Sequence, residues 1–212
     1  MYKYLFVLAL LIPVSLFGQP EEKEQKTFSV GISPFTAVIN GLQVDFDLRL
    51  KNKHWLTLSP QFYMNNDKGS GYWWYSYENM YGLGIDLQHR IYLRERLLPK
   101  GFYLSYGPTF KFFSVDAQGY YPEEYTENGS QYIGFKEGML NTKICKVGGN
   151  IIFGYQFVFF DIVYLDLFTG TGIRLSYDNR TSGLHKMYNY DWPSIGYSGT
   201  LLVGGFRVGI TF

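Results

Sequence analysis

The sequence predicts an all-β fold: eight antiparallel strands closed into an up-and-down transmembrane β-barrel, preceded by a signal peptide. Three observations predict it. Beyond residue 26 the chain alternates apolar and polar residues with period two, segment after segment. Glycine within those segments falls mostly on the polar face, at Gly31, Gly82, Gly84, Gly107, Gly154, Gly170, Gly172, Gly205 and Gly209. The connections alternate in length: those near 51–54, 94–101 and 160–161 are short, and those near 65–79, 116–141 and 177–199 are long.

Length and composition bound the reading. The 212 residues suit one domain. Aromatics make up 20% of the chain and charged residues 17%, below the roughly 25% of ordinary soluble domains. That balance suits strands facing an apolar medium and excludes disorder. Residues 1–18 read as the signal peptide. Lys3 supplies the positive start, and the apolar run over 5–17 is too short for a spanning helix of roughly 20 residues. A polar lead-in covers 19–26, and the barrel covers 27–212. Cleavage takes Lys3 from the 19 basic residues and leaves them level with the 18 acidic ones. No basic excess is left to attract nucleic acid. The single cysteine, Cys145, excludes an internal disulfide framework, and three scattered histidines offer no metal cluster. No metal and no cofactor are expected.

The strands are expected at 27–37, 41–50, 55–64, 80–93, 102–115, 142–159, 162–176 and 200–212. Asn40-Gly41 signals a tight hairpin between the first two. The phases are plain. In the second strand Leu42, Val44, Phe46, Leu48 and Leu50 oppose Gln43, Asp45, Asp47 and Arg49. In the fourth, Tyr81, Leu83, Ile85, Leu87, His89 and Ile91 oppose Gly82, Gly84, Asp86, Gln88, Arg90 and Tyr92. Two faces alone leave open a soluble barrel with its apolar face inward. Glycine on the polar face favours the inverted arrangement, because a narrow interior is crowded. So does the near absence of charge on the apolar face, since a charge at mid-membrane costs about 2–4 kcal/mol. The loop rhythm then places short turns and both mature termini in the periplasm. About ten tilted residues per strand cover the apolar band of about 25 Å.

The last strand alternates Phe206, Val208 and Ile210 and ends on Phe212. With this strand and the eight-strand pattern, the chain resembles the small eight-stranded outer-membrane barrels of the OmpA and OmpX type, a porin-like outer-membrane domain, over nearly all of 27–212. The resemblance implies that Phe206, Val208, Ile210 and Phe212 form the signal read by the barrel-assembly machinery. It also implies a bacterial outer membrane, with its lipid and lipopolysaccharide, as the surroundings.

Eight strands leave an interior just wide enough for side chains. The lumen is expected to hold Asp45, Asp47, Asp86 and Asp166 with Arg49, Arg90, Lys111, Arg174 and Arg207. In so narrow a space these charges should pair, because an unpaired buried charge is very costly. A plugged lumen follows, with a narrow ion or small-solute channel as the alternative. A lipid A-modifying enzyme is the second alternative, since some small outer-membrane barrels use His, Ser and a carboxylate near the outer rim. His54 falls in a predicted periplasmic turn and His89 on the lipid face, and only His185 lies in an outer loop, near Asp178, Ser182 and Asp191. No His-x-Ser pair or nucleophile elbow is present, and the expectation is a non-enzymatic protein.

The outer loops are the expected interaction surface. Their aromatic binding candidates are Tyr72, Trp73, Trp74, Tyr75, Tyr121, Tyr125, Tyr190 and Trp192, beside the acidic set Glu123, Glu124 and Glu127. Such rings suit an extracellular protein or glycan partner. They also suit anchoring belts at the membrane interface. A fifth and sixth strand continued past the membrane would favour adhesion by strand pairing. Asn128-Gly129-Ser130 and Asn179-Arg180-Thr181 match the glycosylation pattern, which in a bacterial protein is a chance match.

Overall fold

A computed structural model of the chain describes residues 25–65, 79–94, 96–179 and 195–212. Eight strands run in order: β1 (Phe28–Ile32), β2 (Gly41–Lys51), β3 (His54–Asn65), β4 (Asn79–Tyr92), β5 (Gly101–Glu127), β6 (Ser130–Phe159), β7 (Val163–Asp178) and β8 (Gly199–Thr211). Each pairs antiparallel with the next, and β8 returns to β1 to close the barrel. The predicted signal peptide and the aromatics Tyr72, Trp73, Trp74, Tyr75, Tyr190 and Trp192 lie outside the described residues, as does the side chain of Tyr121.

The polarity is that of a barrel turned inside out. Asp45 and Asp166 are fully buried, and Arg207 is 2% exposed. Leu83 on the other face is 58% exposed, and Phe46 and Phe206 also point outward. A water-soluble barrel would reverse this, so the soluble alternative is overturned.

The first strand departs from expectation. Phe212 N–H donates to the Phe28 carbonyl at 2.7 Å, so even-numbered β1 residues turn their backbone groups toward β8. Two more steps bring Val30 opposite Ile210 and Ile32 opposite Val208. The next even position is Pro34, which has no N–H to give, and the ladder stops there. The chain instead enters a 3₁₀ turn over Pro34–Ile39 and leaves it at Asn40, whose φ of 54° is left-handed. The predicted strand over 27–37 is therefore cut to Phe28–Ile32, and the connection to β2 is a 3₁₀ turn rather than a two-residue hairpin. Beyond this point β8 residues 199–207 pair with β7 and not with β1.

The second departure is the connection expected as a long loop over 116–141, which takes the form also raised for it, a fifth and sixth strand continued past the wall. It is strand almost throughout. Asn128 and Gly129 have φ of 51° and 80°, the left-handed pair that a two-residue hairpin requires. Register runs unbroken from Gly101↔Gln156 to Glu127↔Ser130. β4 stops at Asn79, opposite Asp116, and β7 stops at Asp178, opposite Ile144. The final stretch of β5 and β6 thus stands clear of the barrel as a two-stranded ribbon about 37 Å long, at ~3.4 Å per residue.

Inside the wall, glycines and large aromatics are matched across strands. Gly82 lies opposite Phe113 and beside Tyr63, Gly154 opposite Tyr103, Gly205 opposite Phe168 and Gly209 opposite Tyr164. Each ring lies over the bare backbone of its partner: a Cβ on Gly154 would fall within 2.8 Å of the Tyr103 ring, and one on Gly209 within 2.7 Å of Tyr164. These polar-face glycines make room for the rings that fill the lumen, whereas a Cβ on Gly107 or Gly170 would meet the backbone of the neighbouring strand.

Candidate functional site

The lumen is built in layers. At the end carrying the termini, the segment after β4 folds across the mouth. Its Leu97 carbonyl accepts from Lys26 N–H and from Arg49 Nη1, both at 3.1 Å, and Pro99 is buried. Above this, Trp55, Tyr92, Tyr103 and Ile152 pack as a buried cluster, with Phe168 and Val203 against it. At the ribbon end a second cluster joins Tyr63, Met80, Phe113, Val115 and Ile144, with Ile195 packed on it.

Charge lies between and around these clusters. Arg90 Nη2 stands 3.5 Å from Asp47 and 3.6 Å from Asp166. Its Nη1 donates to Gln156 Oε1 at 3.0 Å, and its guanidinium lies over the Tyr103 ring at 4.5 Å. Arg207 Nε lies 3.8 Å from Asp166 and 3.9 Å from Asp45, with its guanidinium over Phe168. Neutral donors complete the carboxylates. Tyr103 donates to Asp166 at 2.7 Å, Thr57 to Asp47, and Ser33, Gln43 and Ser59 to Asp45. A separate group forms nearer the ribbon end. There Asp86 accepts from Gln61 and Thr109, while Lys111 donates to the Tyr63 hydroxyl at 2.9 Å. Arg174 donates to Asn150 Oδ1 at 2.6 Å and to the Gly149 carbonyl at 3.1 Å.

The nine charged residues expected in the lumen therefore divide. Asp45, Asp47, Arg90, Asp166 and Arg207 are brought together as one ionic network. Asp86, Lys111 and Arg174 face the lumen with neutral partners, not carboxylates. Arg49 is the correction: it sits at the terminal mouth on a backbone carbonyl, beside Trp55 at 5.9 Å, and makes no ion pair among the described residues. Near-equal numbers of opposite charge did not bring every charge to a counter-charge, because position along the barrel axis decides which groups meet. The residues missed as site members are Tyr92, Tyr103, Gln156 and Tyr164. Period two had already placed all four on the polar face, but their partners depend on register.

Two further features lie outside the lumen. At the ribbon's root, Asn141 Nδ2 donates to Asp116 Oδ1 at 2.6 Å and Ser114 Oγ at 3.2 Å, a polar collar on the outer face. Beyond it the same face carries Met139, Phe135 and Ile133, the last two 66% and 68% exposed. On the opposite face Tyr125 and Tyr132 stack at 5.7 Å, with Lys136 and Glu123 paired at 3.1 Å. Of the aromatic binding candidates, Tyr125 is thus placed on the ribbon. His54 is the first residue of β3 rather than a turn residue, and it stacks on His89 with centroids 5.2 Å apart. His185 with Ser182 and Asp191 lies outside the described residues. Among the described residues no three of His, Cys, Asp and Glu gather as metal ligands.

No protein-family model matches the chain, and no curated protein matches it. Solved structures similar to it include the crystal structure of Acinetobacter baumannii CarO, with 12% identity and a TM-score of 0.43 over 91% of this chain and 100% of that one. Another is the N-terminal β-barrel domain of Pseudomonas aeruginosa OprF, with 10% identity and a TM-score of 0.36 over 89% of this chain and 98% of that one. Eight antiparallel strands close on themselves, apolar outside and polar within, as the strand pattern of the sequence predicts.

Proposed function

We propose that the mature chain is a non-enzymatic barrel of the bacterial outer membrane with both termini periplasmic. In this reading its lumen is closed by its own side chains, and its role is structural or surface-interacting. The observation that carries the reading is the sequence of layers across the lumen, from Leu97 and Pro99 through Trp55 and Tyr103 and the Arg90–Asp166–Arg207 network to Phe113 and Ile144. Rings and paired ions in a bore of eight strands leave little room for a hydrated path. The experiment is membrane fractionation with heat-modifiable gel mobility, followed by planar-bilayer recording of the purified protein. A heat-modifiable band in the outer-membrane fraction and no steady large conductance are expected. A steady large conductance would reject the plug in favour of a narrow channel through the ionic network.

The ribbon supplies the interaction surface. The polar collar at Ser114, Asp116 and Asn141 suits the headgroup level, and the apolar stripe of Met139, Phe135 and Ile133 begins beyond it. Hydrocarbon therefore does not cover the stripe, and a protein or glycan partner is its expected cover. Ile133→Ser combined with Phe135→Ser should change barrel stability by no more than about 0.5 kcal/mol, as for ordinary surface sites. The same pair should lower adhesion of whole cells to an immobilised protein or glycan. A large fall in the urea midpoint would mean that the stripe is packed rather than presented.

A further inference from the structure

Near the terminal rim the apolar outer wall is interrupted. Register sets His54 on β3 beside Ile91, and His89 on β4 between Leu56 and Tyr106, all facing outward. His54 Nδ1 and His89 Nε2 are 3.1 Å apart, and His89 Nδ1 lies 2.9 Å from the Tyr106 hydroxyl. With neutral rings this relay runs in one of two directions. If Tyr106 donates to His89 and His89 to His54, the His54 Nε2–H is left as an outward donor. If the relay runs the other way, the Tyr106 O–H is the one left over. Either way, a hydrogen-bond donor is offered to the surroundings at the edge of the apolar wall.

The charge beside it is basic. Lys51 at the end of β2, Lys53 on the β2–β3 turn and Arg94 and Arg96 after β4 are all exposed. The two segments adjoin, since Tyr92 N–H donates to the Lys53 carbonyl at 2.9 Å. Asp161, on the β6–β7 turn, is the one carboxylate side chain among the described residues of this rim. The ribbon end is acidic on balance, with Asp116, Glu123, Glu124, Glu127 and Asp178 against Lys136 and Lys143.

We propose that this rim binds an anionic glycerophospholipid of the inner leaflet. Lys53 and Arg94 take the phosphodiester, and the His54–His89–Tyr106 relay donates to an oxygen of the headgroup glycerol. The acyl chains lie along Leu56, Leu87 and Leu104. The inference rests on the periplasmic placement of the termini. Each Lys or Arg near an anionic lipid surface favours binding about fivefold.

The test uses the mature chain inserted into vesicles of equal phosphatidylglycerol and phosphatidylethanolamine, with lipid retained after gentle extraction counted by native mass spectrometry. Phosphatidylglycerol should exceed phosphatidylethanolamine by about tenfold or more, consistent with two such cations. Lys53→Gln with Arg94→Gln should lower the ratio several-fold, with Lys51 and Arg96 still in place. His54→Phe with His89→Phe, which leaves every Lys and Arg side chain in place, should lower it several-fold. Equal retention of the two lipids by the unaltered protein, or an unchanged ratio in either double variant, overturns the site. Heat-modifiable mobility is read on the same samples. An inserted barrel without lipid preference fails the site alone, whereas a chain that does not insert fails the membrane placement.

Discussion

Arg90→Ala is expected to lower the stability of the barrel by about 3–5 kcal/mol, the cost of breaking a buried ion pair from one side. Arg90 is 1% exposed and reaches Asp47 and Asp166 together. The network holds three carboxylates, Asp45, Asp47 and Asp166, against two guanidiniums, Arg90 and Arg207. Removing one cation leaves Arg207 alone against three carboxylates in a space that water does not screen. The Tyr103 ring beneath Arg90 and the Gln156 carbonyl that accepts from it lose their partner as well. Arg90→Lys should recover only part of the loss, because a single ammonium cannot span both carboxylates while stacking on a ring. Adding Asp166→Asn to Arg90→Ala should recover stability, since one uncompensated charge is then removed. Urea unfolding in vesicles checks all three variants. A cost under about 1 kcal/mol for Arg90→Ala, the range of an exposed pair, would mean that the network is solvated.

The adjacent glycines Gly148 and Gly149 are expected to respond oppositely to one methyl group. Gly148 faces inward, and a Cβ there would drive into the Ile173 carbonyl oxygen and stand 3.0 Å from its carbon. The obstacle is backbone in a closed wall and cannot turn aside. Gly149 faces outward, and its Cβ would meet only the Gly107 carbonyl oxygen at 3.5 Å, an ordinary contact. Gly148→Ala should therefore cost about 1–3 kcal/mol through overpacking and slow barrel closure. Gly149→Ala should stay within about 0.5 kcal/mol. The rate at which the heat-modifiable band appears on refolding, together with urea midpoints, reads both. Equal behaviour of the two variants would overturn the close approach of the Ile173 backbone as the reason for glycine at 148.

Much of the wall was legible residue by residue. Period two is a local property, and it set Asp45, Asp86, Asp166 and Arg207 on one face and Phe46, Leu83 and Phe206 on the other without knowledge of any neighbouring strand; glycine placement and the charge-free apolar face then gave the direction. The Asn128-Gly129 turn was equally local, yet it was missed because the polar stretch around it looks like a loop. Along β5 Tyr and Glu stand at both parities of 117–127, so the apolar alternation that marks a wall strand fades there. Pro34 was visible too, but its effect required knowing that its missing N–H would face β8.

The sequence by itself determined the number of strands, the two faces of each and which face carries charge, because alternation and turn residues act over neighbours in the chain. Only the tertiary structure decided which charges meet, that Arg49 leaves the network for the Leu97 carbonyl, that His54 joins His89, and where the β1–β8 seam ends. These depend on strand register and on height along the barrel axis. Both are set when all eight strands close at once, and neither is written in any single segment.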